Sequence, residues 1–225
     1  MKDPVDPAAD EPVIDYGVAG ASARREHQRR KANREDRVRS KHKRTAGLRL
    51  ALTDDPAHET AWASGARGEE QLAAALEKRC HDRIQILHDR RIPRSKANID
   101  HIAVTPNGIW VIDAKNYNGK VEIRKPLFGE ASLRIGGRDQ TKLVHGVLEQ
   151  VELVRSALAD RTDIEVRGAI GFLGDGLPVW PKMSFDGVPI LYPRPLAKRL
   201  CADGPLDDAA ILWHTAMLAD RFPRA

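Results

Sequence analysis

Residues 98–115 of the chain read NIDHIAVTPNGIWVIDAK, and they predict the centre of a β-sheet. One apolar run precedes the tripeptide Pro106-Asn107-Gly108 and another follows it, and both are rich in the Ile and Val that strands favour. The tripeptide fits a type I turn, with Pro at the second position and Gly at the fourth. The stretch therefore predicts an antiparallel β-hairpin.

The register of this hairpin decides where its charged residues meet. If the two residues that flank the turn pair with each other, Asp100 lies directly across from Asp113, with Cβ atoms roughly 4.5 to 5.5 Å apart. Because side chains alternate along a strand, Asp113 and Lys115 share that face of the sheet. A bulge at the turn would instead shift the register by one residue and place Asp100 opposite Ala114. The sequence leaves both registers open.

The three charged side chains of the hairpin suggest a metal-assisted reaction. Two adjacent carboxylates repel each other unless a cation lies between them, and hard oxygen ligands suit Mg²⁺ or Mn²⁺. Lys115 could orient or help deprotonate a water molecule and offset the charge that develops on phosphorus. Phosphodiester hydrolysis is thus one hypothesis. The alternative is a solvated ion pair at the end of a hairpin, without a catalytic role.

Around the hairpin the sequence predicts further helices and strands. A helix is expected from residue 65, in GARGEEQLAAALEKRC, where Glu69 falls on the apolar face with Leu72 and Leu76. Other strands are expected at 84–88, 121–124, 132–135, 166–173 and 188–192, and helices at 139–159, 195–201 and 206–220. This order predicts a mixed α/β or α+β sheet with helices on both faces.

Charge is distributed unevenly along the chain. Residues 1–22 carry one lysine against five acidic residues, whereas residues 24–44 carry 11 Lys or Arg against three. We expect a disordered acidic tail over 1–22, a basic helical arm and linker over 23–60, and a compact domain over 61–225. The basic helix is either a solvated element or an arm that contacts nucleic-acid phosphates by counterion release. The candidate contact residues are Arg24, Arg25, Arg29, Arg30, Lys31, Arg34, Arg37 and Arg39.

Cysteine and histidine spacing argues against a zinc site. Cys80 and Cys201 lie far apart in segments expected to be helical, so we expect both to be reduced.

No apolar run approaches the roughly 18 residues of a membrane helix, and the first residues do not resemble a signal peptide. The sequence therefore favours a cytoplasmic location.

A wider set of residues gives the hairpin a family context. The set comprises Gly68-Glu69, NIDH at 98–101, the Pro-Asn-Gly turn, DAKN at 113–116, Gly119 and Gln150. It closely resembles the NERD, or nuclease-related, domain of the PD-(D/E)xK nuclease superfamily over roughly residues 65–173. The order of tail, basic segment and domain also resembles actinobacterial members. The resemblance implies a restriction-endonuclease-like mixed sheet with flanking helices.

The resemblance also implies roles for individual residues. Asp100 would be the principal metal ligand, Asp113 the second carboxylate and Lys115 the catalytic lysine. Glu69 would be a carboxylate near the site and a third metal ligand, and Gln150 a helix residue that lines it. For Glu69 the alternative is a charge favoured by the helix dipole.

The implied function is a Mg²⁺- or Mn²⁺-dependent nuclease, with DNA as the expected substrate in processing, repair or defence. Two departures from the superfamily name are Ile99 where Pro is expected and Asp113 where Glu is commoner. His101 follows the family pattern, although no role can be derived for it. Because a fold does not dictate function, two other hypotheses stay open. One is a catalytically inactive nucleic-acid-binding module, and the other is a scaffold or partner-binding protein.

Overall fold

The computed structural model describes residues 13–41, 57–158, 164–178 and 183–225. The described helices are α1 (Ala21–Lys41), α2 (Ala57–Cys80), α3 (Thr141–Leu158), α4 (Pro193–Leu200) and α5 (Asp208–Arg221), with a 3₁₀ turn at His81–Arg83. The strands are β1 (Gln85–Arg91), β2 (Asn98–Thr105), β3 (Gly108–Lys115), β4 (Val121–Arg124), β5 (Ser132–Ile135), β6 (Arg138–Asp139), β7 (Val166–Phe172), β8 (Met183–Phe185) and β9 (Val188–Leu191).

Six strands form the main sheet, in the order β1-β2-β3-β7-β9-β8. The first three are antiparallel to one another, β3, β7 and β9 run parallel, and β8 returns antiparallel to β9. Strands β4, β5 and β6, which lie between β3 and α3 in the chain, form a separate small antiparallel sheet. The result is a mixed α/β fold with flanking helices, which is consistent with a restriction-endonuclease-like fold.

The β2–β3 hairpin has the register expected from its turn. Thr105 pairs with Gly108, and the paired residues continue without a bulge to His101 and Ile112. The register shifted by one residue is therefore wrong. Asp100, the next residue of β2, lies at the end of the paired region, beside Asp113 and Ala114 of β3.

Alternation along the strands divides the core into two layers. Ala103, Trp110 and Ile112 point to the side covered by α2 and α4, whereas Ile102 and Val111 point to the side covered by α3 and α5. A close approach of α2 requires glycine on the buried strand β7. A Cβ at position 171 would lie 2.3 Å from the Cδ2 atom of Leu72.

The expected strands and helices of residues 65–225 agree with the structure to within a few residues, except that α2 begins at Ala57 and not at residue 65; two short strands, β6 and β8, were not predicted. The expected apolar run at 47–52 and turn at 53–56 lie outside the described residues.

None of the described helices is both long and apolar enough to cross a membrane. The location in the cell stays a prediction.

The expectation of two reduced cysteines was wrong. Cys80 and Cys201 form a disulfide, with Cα atoms 5.9 Å apart, although 121 residues separate them in the chain. Packing brings them together, because the C-terminal ends of α2 and α4 meet on one face of the sheet. Spacing along the sequence contains no trace of this contact.

Candidate active site

Three of the predicted site residues meet at the end of the β2–β3 hairpin. Lys115 Nζ lies 2.7 Å from Asp113 Oδ1 and 3.9 Å from Asp100 Oδ2. The side chains of Lys115, Asp113 and Asp100 are 20%, 14% and 19% exposed, so the cluster is largely shielded from water. The sequence therefore predicted correctly which three residues would converge.

Asp100 is held in place by the backbone of the neighbouring strand. Its Oδ2 atom accepts a hydrogen bond of 2.9 Å from the N–H of Ala114. Because the regular pairing of β2 and β3 stops at His101 and Ile112, this N–H bonds to a side chain instead. The carboxylate is fixed beside Asp113, as a preorganised ligand would be.

Burial and mutual repulsion set the charges of the cluster. Burial, followed by the charge of Asp113, raises the pKa of Asp100 to about 7. Burial would lower the pKa of Lys115, but Asp113 and Asp100 outweigh it and raise that pKa above its ordinary value. Lys115 is therefore an ammonium ion at neutral pH. In this arrangement it can stabilise negative charge but cannot accept a proton.

Glu69, on helix α2, interacts electrostatically with the cluster but does not converge with Asp100 and Asp113 as a third metal ligand. Burial, and then the charges of Asp100 and Asp89, raise the pKa of Glu69 to about 8. Its Oε2 atom accepts a hydrogen bond of 3.0 Å from the N–H of Gly20. The charge of Glu69 is therefore coupled to that of Asp100, and its role as a site carboxylate stays a prediction.

Gln150 lies at the margin of the site, on α3. Its Nε2 atom donates to the carbonyl oxygen of Asn98 at 3.4 Å, while its Oε1 atom is buried without a partner. Asp113 Oδ2 is likewise buried without a partner. Buried polar atoms are nearly always satisfied. A proton on Asp100 is one group that would satisfy a carboxylate oxygen of Asp113, and a bound cation is another.

The donor set suits a metal that keeps part of its water shell. Among the residues that the structure describes, no three His, Cys, Asp or Glu side chains converge as a protein-only metal cage requires. Mg²⁺ is commonly held by one or two carboxylates, several waters and the substrate phosphate. Asp100 and Asp113 fit that pattern.

His101 lies apart from the three-residue cluster, in a pair of buried imidazoles. Its Nδ1 atom is 2.9 Å from Nδ1 of His88, whose Nε2 atom lies 3.3 Å from Glu77 Oε1. Burial, and then the charge of His88, lower the pKa of His101 well below its usual value, so this ring is neutral. The structure gives it a packing and hydrogen-bonding role between β1 and β2.

The prediction of a disordered tail was wrong for residues 13–22, which lie against the domain beside the site. Asp89, at the end of β1, accepts hydrogen bonds from the backbone N–H (2.5 Å) and hydroxyl (2.6 Å) of Ser22. It is buried at a φ of +51°, and Asn98 also donates to it at 3.2 Å. Sequence reasoning missed Asp89, although a charged His-Asp-Arg run within a buried strand is an unusual signal.

A buried arginine holds the same segment from the other side. Arg90, 1% exposed, donates hydrogen bonds to three carbonyl oxygens. These belong to Asp15 at 2.7 Å, Ala219 at 2.9 Å and Phe222 at 2.6 Å. The segment before α1 is thus joined to β1 and to the end of α5.

The eight predicted nucleic-acid contacts all lie on α1, the helix that begins at this docked segment. Several are already paired: Arg24 with Glu70, Arg29 and Arg30 with Glu26, and Arg39 with Glu35. Arg25 lies 3.8 Å from Asp89, while Lys31 and Arg37 are exposed to solvent. Arg34 is half-buried on the same helix. The helix starts beside Glu69, whose carboxylate accepts a hydrogen bond from the N–H of Gly20.

Comparison with known families supports the interpretation of this region. Residues 64–173 match the model of the family described as the nuclease-related domain, NERD. The match includes Glu69, the β2–β3 hairpin and Gln150, and it supports a nuclease-related function. Neither a curated protein nor a solved structure matched the chain.

Proposed function

We propose that the protein is a Mg²⁺- or Mn²⁺-dependent nuclease that hydrolyses phosphodiester bonds, with DNA as its principal substrate. The observation that carries the proposal is the convergence of Asp100, Asp113 and Lys115 at one hairpin end. This end lies inside the segment that matches the nuclease-related family. Carboxylates beside a charged lysine are the groups that phosphodiester hydrolysis needs.

Each residue has a distinct task in this proposal. Asp100 and Asp113 would hold the metal ion, with Glu69 and Gln150 beside it. When bound, the ion would polarise a phosphoryl oxygen and make a coordinated water more acidic. Lys115 remains an ammonium ion and stabilises the negative charge that builds up on the phosphoryl oxygens in the transition state. The hydrogen bond from Ala114 keeps Asp100 oriented throughout.

A direct assay tests the proposal. Purified protein is incubated with single-stranded DNA, double-stranded DNA and RNA, with Mg²⁺, with Mn²⁺ and with EDTA. We expect cleavage that requires the metal and disappears in Asp113→Asn. Asp82→Asn is the matched control, because Asp82 is an exposed acidic residue just before the first residue of β1. Cleavage that survives in Asp113→Asn, or persists in EDTA, would contradict the proposal.

A second candidate is a nucleic-acid-binding module without catalysis. Its supporting observation is that Lys115 pairs with both aspartates, so the cluster is partly neutralised without any metal. Binding of nucleic acid by a wild-type protein that takes up no metal and cuts no substrate would favour this candidate.

A further inference from the structure

A cleft of about 450 Å³ lies between α1 and the loop that joins β1 to β2. Four cationic side chains line it, two from each side: Arg25 and Arg29 from α1, and Arg91 and Lys96 from the loop and the strand end that leads into it. The one acidic side chain in its lining, Glu26, is already bonded to Arg29 and Arg30. The cationic side chains of the cleft therefore outnumber its one acidic side chain.

The two cations on the loop side are free to take an anion. Arg91 and Lys96 are both exposed, and no acidic side chain pairs with either within the described ranges. The cations of α1 are less available, because Arg29 bonds to Glu26 and Arg25 donates to the carbonyl oxygen of Ala225. An anion in the cleft would thus find its strongest unpaired charge on the loop side.

The cleft adjoins the candidate active site. Asn98 and Ser22 line it, and both donate hydrogen bonds to Asp89, whose charge affects Glu69. The carbonyl oxygen of Asn98 also accepts the hydrogen bond from Gln150. Along β2, Asp100 is two residues beyond Asn98, a distance of roughly 7 Å at the usual rise of a strand. A ligand that fills the cleft therefore lies beside the carboxylates.

We infer that this cleft binds a backbone phosphate of the nucleic-acid strand whose neighbouring phosphodiester lies at Asp100 and Asp113. The inference rests on the proposed function for the position of the reacting bond. The physical argument is that flanking phosphates are strongly anionic and are drawn to unpaired Arg and Lys side chains. The carboxylate cluster by itself would repel them, so a cationic cleft next to it resolves the conflict. The docking of α1 supplies one wall of that cleft.

Binding measured without cleavage tests the inference. The probe is a fluorescently labelled single-stranded 20-mer, used in EDTA so that the strand stays intact, with anisotropy recorded over a range of salt concentrations. The test variant is Arg91→Ala/Lys96→Ala. The matched control, Lys78→Ala/Lys198→Ala, removes the same charge from exposed positions on α2 and α4.

We expect the test variant to bind about tenfold more weakly at moderate salt. Its slope of log affinity against log salt should fall by about 0.7, because each phosphate that is neutralised on a single strand adds roughly 0.7 to that slope. The control should keep the wild-type slope. Equal slopes in wild type and test variant would overturn the inference even if the protein is a nuclease, as would a wild-type protein that binds no strand. A selective decrease in the test variant would support it even if no cleavage is detected.

Discussion

Lys115 Nζ lies 2.7 Å from Asp113 Oδ1, with a single residue between the two in the chain. The strand pleat places both side chains on one face, and Asp100 from the neighbouring strand completes the group. The metal-free protein therefore contains its own cation at the point where two carboxylates meet. A metal ion that binds these carboxylates therefore competes with the ion pair that Lys115 already forms.

Replacing Lys115 with methionine should separate stability, metal binding and turnover. Lys115→Met leaves two shielded carboxylates without their cation. We expect the metal-free protein to lose about 2 to 3 kcal/mol, less than for a fully buried pair because the group is partly exposed. Added Mn²⁺ should stabilise the variant more than wild type, while cleavage is lost. Urea unfolding, calorimetric titration and the cleavage assay measure these effects.

The control for that experiment is Lys120→Met. Lys120 also pairs with an acid, Glu122, but its side chain is 78% exposed. Exposed pairs contribute little, so we expect a change below about 1 kcal/mol and normal turnover. Full activity in Lys115→Met would remove this lysine from the mechanism.

The stability of the metal-free protein should fall as the pH rises. Burial raises the pKa of Glu69 from 4.5 to about 8, so between these values the folded protein binds a proton that the unfolded chain has released. Under that condition the free energy of unfolding decreases with pH, until the decrease ends above pH 8. Asp100 acts in the same direction up to about pH 7. Glu69→Gln should therefore weaken the decline.

Urea unfolding at pH 5, 6, 7 and 8 in EDTA measures this effect. Glu70→Gln is the control, because Glu70 is the adjacent residue and pairs with Arg24 on the surface. We expect the control to follow the pH dependence of the wild type. If Glu69→Gln follows it as well, the carboxyl of Glu69 is in contact with water and does not belong to the buried cluster.

A methyl group at Gly20 should detach the segment that precedes α1. Gly20 has a φ of +71°, and a Cβ there would lie 2.7 Å from the carbonyl oxygen of Ala66. We expect Gly20→Ala to cost about 1 to 3 kcal/mol and to expose the amides around it to hydrogen exchange. Gly146→Ala on α3 meets nothing within 4 Å and should stabilise by about 0.5 to 1 kcal/mol. Unchanged exchange around residues 17–25 in Gly20→Ala would contradict the docking.

Reduction of the disulfide should lower the stability of the fold. The bond between Cys80 and Cys201 spans 121 residues, and constraint of so long a loop in the unfolded chain is worth about 4 to 5 kcal/mol as an upper estimate. We expect dithiothreitol to lower the Tm of wild type by roughly 10 °C. Cys80→Ser/Cys201→Ser should melt at that lower temperature with or without the reductant. If dithiothreitol leaves the Tm of the wild type unchanged, the disulfide is not formed.

Local signals in the sequence were sufficient for the hairpin and its charged residues. Pro106-Asn107-Gly108 fixes the turn, the turn fixes the register, and alternation then brings Asp100, Asp113 and Lys115 together. Each step depends on residues close in the chain. For Glu69, helical spacing correctly indicated a carboxylate on the apolar face.

The missed contacts of Asp89 and of the two cysteines depend on residues that are distant in the chain. Asp89 bonds to Ser22 across 67 positions, and the two cysteines meet across 121. The acidic composition of residues 1–22 predicted disorder, but Asp15, Gly20 and Ser22 of that segment bond to Arg90, Glu69 and Asp89 of the domain. The cationic residues Arg91 and Lys96 were overlooked because their importance comes from their position opposite α1.

The three carbonyl oxygens bonded to Arg90 emerge from the ribosome at widely different times. The carbonyl of Phe222 belongs to a residue 132 positions after Arg90, which at 5 to 20 residues per second corresponds to a delay of about 7 to 26 seconds. Asp15 is made first, yet the arginine that binds it cannot be fully satisfied until α5 is complete. The segment around Gly20 and Ser22, which bonds to Glu69 and lines the cleft, is therefore fixed in place late in translation. Until then the site of the nascent chain is incomplete.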